Sequence, residues 1–267
     1  MAAPIRKGAR SIKDISPDIM QQLNNGEIES ANLVEWLAID QRKLLENVLT
    51  SWQKQAYFSP ILKAIDALKK QTVTTINEAV GIGLLQQTKE NNDTDLLPKM
   101  MTHQSDAVRC WATYVIGKNP HLSLAEMLKN IQPFAADTHF GVREIAWMAV
   151  RPTISKHLEQ SIAIFSTWTG SKDENIRRFA SEATRPRGVW CAHIDVLKQN
   201  PALALPILVP LKADKSKYVQ DSVGNWLNDA GKTQPQFVTE LCKTWAIESP
   251  TKETNYIIKK AMRTIEK

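Results

Sequence analysis

The sequence predicts an all-α fold built from stacked helix pairs, and three observations support this. Apolar residues recur at spacings of three and four along almost the whole chain, which is the period of a helix. Strand-like alternation is nearly absent, and glycine is scarce, with 10 residues in 267. A pattern of 34 residues also repeats along the chain. Together these features indicate a helical-repeat solenoid.

The expected helices follow one another with short connections. Many of them begin at a Ser, Thr or Asp, whose side chain can accept a hydrogen bond from the free N–H groups of the first turn. The expected starts lie near Ser16, Ser30, Ser59, Thr72, Thr94, Ser105, Ser123, Thr138, Leu158, Asp173, Pro201, Lys217, Gln234 and Thr251. The glycines at 117 and 231 are expected to end the helices that precede them.

The repeat is clearest where Val108, Val142 and Ile176 stand 34 residues apart. Further apolar or small residues follow three, four and seven positions after each of these, namely Trp111, Ile145 and Phe179, then Ala112, Ala146 and Ala180, then Val115, Ala149 and Ala183. These spacings trace one face of a helix, which we expect to be buried against neighbouring helices. Two helices in each repeat of this length indicate a HEAT-like solenoid, an α-α superhelix.

An arginine follows the first buried position in three successive repeats, at Arg109, Arg143 and Arg177. Equivalent helices of neighbouring repeats stack about 10 Å apart, so the three side chains should form a ladder on a concave basic face. Such a row suits the phosphates of a DNA duplex. The alternative is a solvated charged face whose arginines pair with acids of a partner helix.

The segment from Arg185 to Trp190 interrupts the period and is expected to form an ordered surface loop. Arg185 and Arg187 flank a proline, and two arginines in a short loop resemble a phosphate clamp. Trp190 is expected either to stack on a ligand or to anchor the loop. Just before this loop, Arg178 is a further candidate for DNA contact, although its spacing also allows an ion pair with Glu182 on the same helix.

Candidate catalytic residues lie on the side of the helices that carries the arginines. Trp147 is expected away from the buried stripe, where its ring either stacks on a base, sugar or cationic ring or packs on a neighbouring helix. Glu144 and Asp221 occupy equivalent positions in their repeats. A carboxylate that faces DNA repels the backbone, but it can stabilise a cationic transition state or orient water. Either acid could instead be an ordinary surface residue.

Composition and motif content limit which other classes of function are expected. The net charge of +6 favours a polyanionic partner, although a mildly basic surface without one explains it equally well. The three cysteines are widely spaced, and no CxxC or HExxH pattern occurs, so neither a disulfide framework nor a metal site is expected. No cofactor is expected. Neither a secretory signal pattern nor a membrane span is found in the sequence, so a cytoplasmic protein is expected. We also expect a monomer. Its domain organisation is expected to be a basic arm over 1–15 followed by one solenoid domain over 16–267.

Two segments resemble signatures of a known family. Residues 177–187, RRFASEATRPR, are similar to the RRLASEGxRPR signature of AlkC-type bacterial DNA alkylation repair proteins. Residues 218–229, YVQDSVGNWLND, resemble their YVxxSVxNxLND segment, and Phe140 to Arg143 followed by Arg151 and Pro152 also fits. The resemblance runs over residues 106–262. It implies a HEAT-like arch shared with AlkD-type enzymes.

The resemblance also implies an activity, the excision of cationic N3- or N7-alkylpurines from duplex DNA without extrusion of the base. For such chemistry one carboxylate and one or two aromatic faces suffice, and no metal is required. Two departures prevent a direct transfer of the catalytic acid. AlkD-type enzymes place Asp four residues after a Trp, where this chain has Arg151 after Trp147, and AlkC-type relatives tend to place Glu where this chain has His139. Glu144, Asp221 and Asp137 are therefore hypothetical substitutes.

The sequence as a whole predicts a glycosylase for alkylated purines in double-stranded DNA. In this prediction Glu144 or Asp221 stabilises the developing cation and Trp147 contacts the lesion, while the arginines and Trp190 bind DNA. Two other functions remain open, a non-catalytic binder of damaged or branched DNA and a protein-interaction scaffold.

Overall fold

The computed structural model describes residues 6–266, and within that range it contains helices but no strand. Residues 1–5 of the predicted basic arm lie outside the described residues; the described remainder carries one short 3₁₀ helix, Ile12–Asp14. The described residues form two compact units. The first unit contains residues 6–122 and 137–149, and the second contains residues 123–136 and 150–266. The expectation of one domain over 16–267 stays a prediction.

The first unit contains seven complete helices and the start of another. They are α1 (Pro17–Asn25), α2 (Leu33–Ala38), α3 (Gln41–Ser51), α4 (Phe58–Asp66), α5 (Val73–Glu90), α6 (Leu96–Met101), α7 (Asp106–Gly117) and the first ten residues of α9 (Phe140–Lys156). Helix α5 packs on α4 and α7. Their contact buries Ile61, Leu84 and Trp111 almost completely, and this apolar burial stabilises the unit.

The second unit contains the remaining helices. They are α8 (Leu124–Ala135), the end of α9, α10 (Leu158–Trp168), α11 (Glu174–Glu182), α12 (Asp195–Gln199), α13 (Leu205–Leu208), α14 (Lys217–Gly231), α15 (Pro235–Glu248) and α16 (Lys252–Met262). Helix α14 packs on α11 and α16. Phe165, Trp226 and Trp245 are buried in the core of this unit.

The predicted period is confirmed by the helix boundaries. Helices α7, α9 and α11 begin at 106, 140 and 174, and α8 and α10 begin at 124 and 158, so both series advance by 34 residues. The residues expected on the inner face are buried, with the exception of the half-exposed Ile176. The predicted Ser, Thr and Asp caps at 16, 72, 123, 173 and 251 accept the expected backbone hydrogen bonds. The sequence did not predict the separate starts of α3 and α12.

Helix α7 approaches α9 closely at Gly117. A Cβ atom on this glycine would lie 2.6 Å from the carbonyl oxygen of Ala149. The absence of a side chain at Gly117 therefore allows the backbones of α7 and α9 to approach each other closely.

Candidate nucleic-acid interface

The three arginines of the predicted ladder share one local arrangement. Each guanidinium donates through Nη1 to the two backbone carbonyls that lie five and six residues earlier in the chain, at distances between 2.6 and 3.2 Å. Gln220 makes the equivalent bond to the carbonyl of Asp214, at 2.8 Å. These four side chains therefore connect the loop before each helix to the first turn of that helix by hydrogen bonds.

Arg109 and Arg177 also form ion pairs with acids that lie in loops. Arg109 donates to both carboxylate oxygens of Asp137, at 2.8 and 3.0 Å, and is paired with Glu29. Arg177 contacts both oxygens of Asp214, at 2.6 and 2.9 Å. These contacts correspond to the alternative that the sequence left open, in which the arginines pair with acids. Their role at phosphates stays a prediction.

The electrostatics of both pairs favour the charged arginine. Burial acts to lower the pKa of Arg109, but the hydrogen bonds and charges of Asp137 and Glu29 outweigh it, and the pKa is raised. For Arg177, the hydrogen bond to Asp214 is the largest cause of a raised pKa. Both guanidinium groups are thus charged, with that charge largely neutralised by carboxylates.

The arginines near the predicted surface loop differ from one another. Arg178 lies 3.6 Å from Glu182, which matches the expected intrahelical pair, and its guanidinium carbon is 4.2 Å from the centre of the Tyr218 ring. Arg185 contacts Glu182 at 2.8 Å and Asp229 at 2.6 Å. Arg187 makes one long bond, 3.3 Å from Nε to a backbone carbonyl, and no ion pair within residues 6–266.

Glu144 and Trp147 are brought together on helix α9. The indole Nε1–H of Trp147 donates to Oε2 of Glu144 at 2.9 Å. Only 2% of Trp147 is exposed, so its ring packs inside the protein, which is the second of the two alternatives predicted for it. The carboxylate of Glu144 is half-exposed and held in one orientation by a buried donor.

Asp221 lies on α14 and is engaged by two groups of α16. The hydroxyl of Tyr256 donates to its Oδ1 at 2.7 Å, and the ammonium of Lys260 lies 2.5 Å from the same oxygen. Burial acts to raise the pKa of Asp221, but the hydrogen bonds from Lys260 and Tyr256 outweigh it and lower the pKa. Asp221 is therefore an ionised acid whose charge is balanced locally.

The loop between α11 and α12, residues 183–194, reaches the surface, as predicted. A backbone hydrogen bond from Ile194 to Pro186, 3.0 Å long, closes it. At its tip Trp190 is 61% exposed. The indole therefore does not anchor the loop in the core.

Comparison with known proteins gives the family. The model of the DNA alkylation repair enzyme family matches residues 118–265, more than half of the chain. The chain belongs to this family. A Bacillus subtilis (strain 168) protein, YhaZ, is 39% identical over 144 residues, which is 54% of this chain and 39% of that protein. The chain therefore spans well under two thirds of that relative.

Two solved structures share the fold of this chain. Pseudomonas fluorescens AlkC, an alkylpurine DNA glycosylase bound to DNA with an abasic site analogue, aligns with a TM-score of 0.66 and 21% identity. That alignment covers 97% of this chain and 66% of AlkC. AlkD2 from Streptococcus mutans aligns with a TM-score of 0.57 and 25% identity, over 79% of this chain and 97% of AlkD2. The HEAT-like helical-repeat fold is thus established for this DNA alkylation repair family member.

The sequence analysis did not predict a cleft in the first unit or the buried hydrogen bonds near it. The first unit holds a cleft of about 920 Å³ whose charged and imidazole-bearing lining residues are Arg6, Glu29, His103, Arg109, Asp137 and His139. His139 is buried, with Nε2 2.7 Å from the carbonyl oxygen of Ser30. The hydroxyl of Ser30 in turn donates to Asp106 at 2.7 Å. Partners this distant in sequence leave no local pattern.

Neither a metal cluster nor a membrane span occurs in the part of the chain that the structure describes. No group of three or more potential ligands among residues 6–266 is arranged to hold a metal ion. Across the same range, every helix is too short or too polar to traverse a bilayer.

Proposed function

We propose that this chain is a DNA glycosylase that excises cationic N3- or N7-alkylated purines from duplex DNA. Membership of the DNA alkylation repair family supports the proposal, as does the shared fold with AlkC, which is named an alkylpurine DNA glycosylase and is bound to DNA in its structure. Double-stranded DNA is accordingly the proposed partner, bound by a monomer in the cytoplasm.

The hydrogen-bonded pair of Glu144 and Trp147 carries the catalytic part of the proposal. An N-alkylated purine is already cationic, so when the N-glycosidic bond breaks, the base leaves as a neutral molecule with the bonding electrons. Positive charge then develops on the sugar, where a fixed carboxylate stabilises it. Water adds to C1′ of the sugar and loses a proton, which leaves an abasic site.

Each member of the pair has a separate task in this reaction. Glu144 is half-exposed and can face the sugar, whereas Trp147 is buried and holds the carboxylate through its indole N–H. A preoriented carboxylate avoids the energy that reorganisation would cost during the reaction. Trp147 is therefore proposed as a positioning residue in this conformation, and its direct contact with the lesion stays a prediction.

Glu144 is preferred to Asp221 as the acid. Asp221 accepts hydrogen bonds from Tyr256 and from the cationic Lys260, so part of its charge is neutralised before any substrate binds. The preference for Glu144 rests on the orientation of its carboxylate, which the indole N–H of Trp147 fixes. Asp221 remains the alternative acid.

Release of free base from methylated duplex DNA tests the proposal. The chain should release 3-methyladenine or 7-methylguanine, and Glu144→Gln should slow release about 100-fold or more, as expected when a preorganised group is removed from a transition state. Trp147→Phe removes the N–H and keeps an aromatic ring, although a smaller one, so it should slow release less than Glu144→Gln, and its melting temperature checks the packing. Asp221→Asn serves as the matched control and should retain most of the activity.

The outcomes separate the alternative functions. DNA binding without release by the unmodified chain would contradict the glycosylase and support a non-catalytic binder of damaged or branched DNA. A larger loss in Asp221→Asn than in Glu144→Gln would contradict the assignment of the acid. Absence of DNA binding would support the protein-interaction scaffold.

A further inference from the structure

The tip of the α11–α12 loop exposes an aromatic side chain in an unusual backbone conformation. Trp190 is 61% exposed and Val189 is 48% exposed. The φ angle of Trp190 is +61°, in the left-handed region that side chains as bulky as tryptophan rarely adopt. Strained residues persist where the surrounding structure determines them, and they concentrate at binding sites.

The backbone beneath this tip is held by one buried arginine. Arg151, on helix α9, donates to three carbonyls of the loop, those of Ala183 at 2.8 Å, Arg185 at 2.5 Å and Ala192 at 3.0 Å. Only 2% of Arg151 is exposed. Burying a guanidinium costs free energy, and these hydrogen bonds offset that cost while they fix both ends of the loop.

The turn itself is tight. A Cβ atom at Gly188 would collide with the sulfur of Cys191 and would lie 3.0 Å from the carbonyl oxygen of Ala192. The chain therefore folds back closely just before Trp190. With both ends fixed and the turn compact, the tip loses little conformational entropy when it binds a ligand.

A positively charged residue, Arg187, precedes the exposed Trp190 by three positions in the sequence. Arg187 is half-buried and makes no ion pair with any described residue, whereas Arg185, two positions earlier, is paired with Glu182 and Asp229. A cation without a carboxylate partner, three residues before an exposed aromatic ring, suits nucleic acid, which offers a phosphate followed by a base.

We propose that the tip, residues 187–190, binds DNA at an opened base step, with Arg187 at a phosphate, Trp190 stacked on the uncovered base, and Arg151 as the positioning residue. This inference rests on the proposed action on DNA. An intact duplex covers its base faces by stacking, so an aromatic ring finds a partner only where a base is missing, unpaired or unstacked. The abasic product of the proposed reaction offers such a face.

Affinity measurements with the full chain test the proposal. The probes are an intact duplex, the same duplex with one tetrahydrofuran abasic analogue, and the corresponding single strand, all at one salt concentration. Trp190→Ala should weaken binding of the abasic duplex and the single strand about tenfold, the loss expected for one stacked base, and should change intact-duplex affinity less than twofold. Equal affinities of the unmodified chain and Trp190→Ala for all three probes would overturn the proposal.

Two controls define the ring's role. Ile247 is 82% exposed on α15, so Ile247→Ala removes an exposed apolar side chain elsewhere and should leave all three affinities unchanged. Trp190→Phe restores a stacking ring and should recover most of the preference for the abasic duplex. A Phe variant as weak as the Ala variant would contradict stacking.

Arg151→Lys tests the positioning role, because lysine keeps the charge but cannot reach three carbonyls at once. The variant should lose the preference for the abasic duplex. The part of its total tryptophan fluorescence that iodide quenches should differ from that of the unmodified chain, because Trp190 is exposed. A retained preference would refute the positioning role. Excision assays report separately on Glu144, so a chain that prefers opened DNA but releases no base would contradict the glycosylase and leave the tip proposal standing.

Discussion

At the scale of single residues, the ion pair of Arg177 and Asp214 is expected to contribute to stability. The two side chains are 16% and 5% exposed, and removal of the arginine leaves a carboxylate without its cation. Arg177→Ala should lower the free energy of unfolding by about 2–4 kcal/mol, as expected for a broken, largely buried pair. Urea denaturation measures this change. The control is Arg42→Ala, which breaks an exposed pair with Asp66 and should cost less than about 1 kcal/mol.

A second residue-scale prediction concerns acid. Burial acts to raise the pKa of Glu182, but Arg178 and Arg185 outweigh it and lower the pKa below the usual 4.5. The folded protein then binds this proton more weakly than the unfolded chain, so the stabilisation is complete above about pH 4.5 and is lost as the pH falls through the folded-state pKa.

The unfolding free energy of the unmodified chain should therefore decrease below about pH 4.5 more steeply than that of Glu182→Gln. Urea titrations of both proteins at a series of pH values measure the two slopes. Identical slopes would show that the Glu182 carboxyl does not couple folding to protonation.

At the scale of helices, the close approach of α7 and α9 leaves no room for a methyl group at Gly117, so we expect Gly117→Ala to destabilise the protein. In Gly117→Ala the new Cβ would meet backbone atoms of Ala149 at 2.6 and 2.9 Å, so one helix must move. We expect a loss of about 1–3 kcal/mol, as for an overpacked core. Gly170→Ala is the matched control, because the nearest atom to its Cβ would be 3.9 Å away. Thermal melting of both variants measures the difference, and equal melting temperatures would contradict the close packing.

At the scale of the whole molecule, the features that could be predicted from the sequence are those that depend on local patterns of residues. Helix starts followed from capping Ser, Thr and Asp residues. The buried face followed from apolar residues three, four and seven positions apart, because a helix places those residues on one side. The partners of Arg109 and Arg177 could not be predicted, because Asp137 and Asp214 lie 28 and 37 residues further on, in loops without a period. The burial of Trp147 could not be predicted either, because it depends on residues outside its own helix.

The salt dependence of binding to the abasic duplex decides which arginines contact phosphates. Each phosphate contact contributes about −0.9 to the slope of log affinity against log salt concentration. Arg187 has no carboxylate partner within residues 6–266, so Arg187→Ala should reduce the magnitude of the slope by about one. Arg177 is already neutralised by Asp214, so Arg177→Ala, measured below its melting temperature, should leave the slope unchanged. A reduced slope in Arg177→Ala would restore the arginine ladder as the phosphate-binding row, because the slope falls only when a side chain that neutralised a phosphate, and so released counterions from the DNA, has been removed.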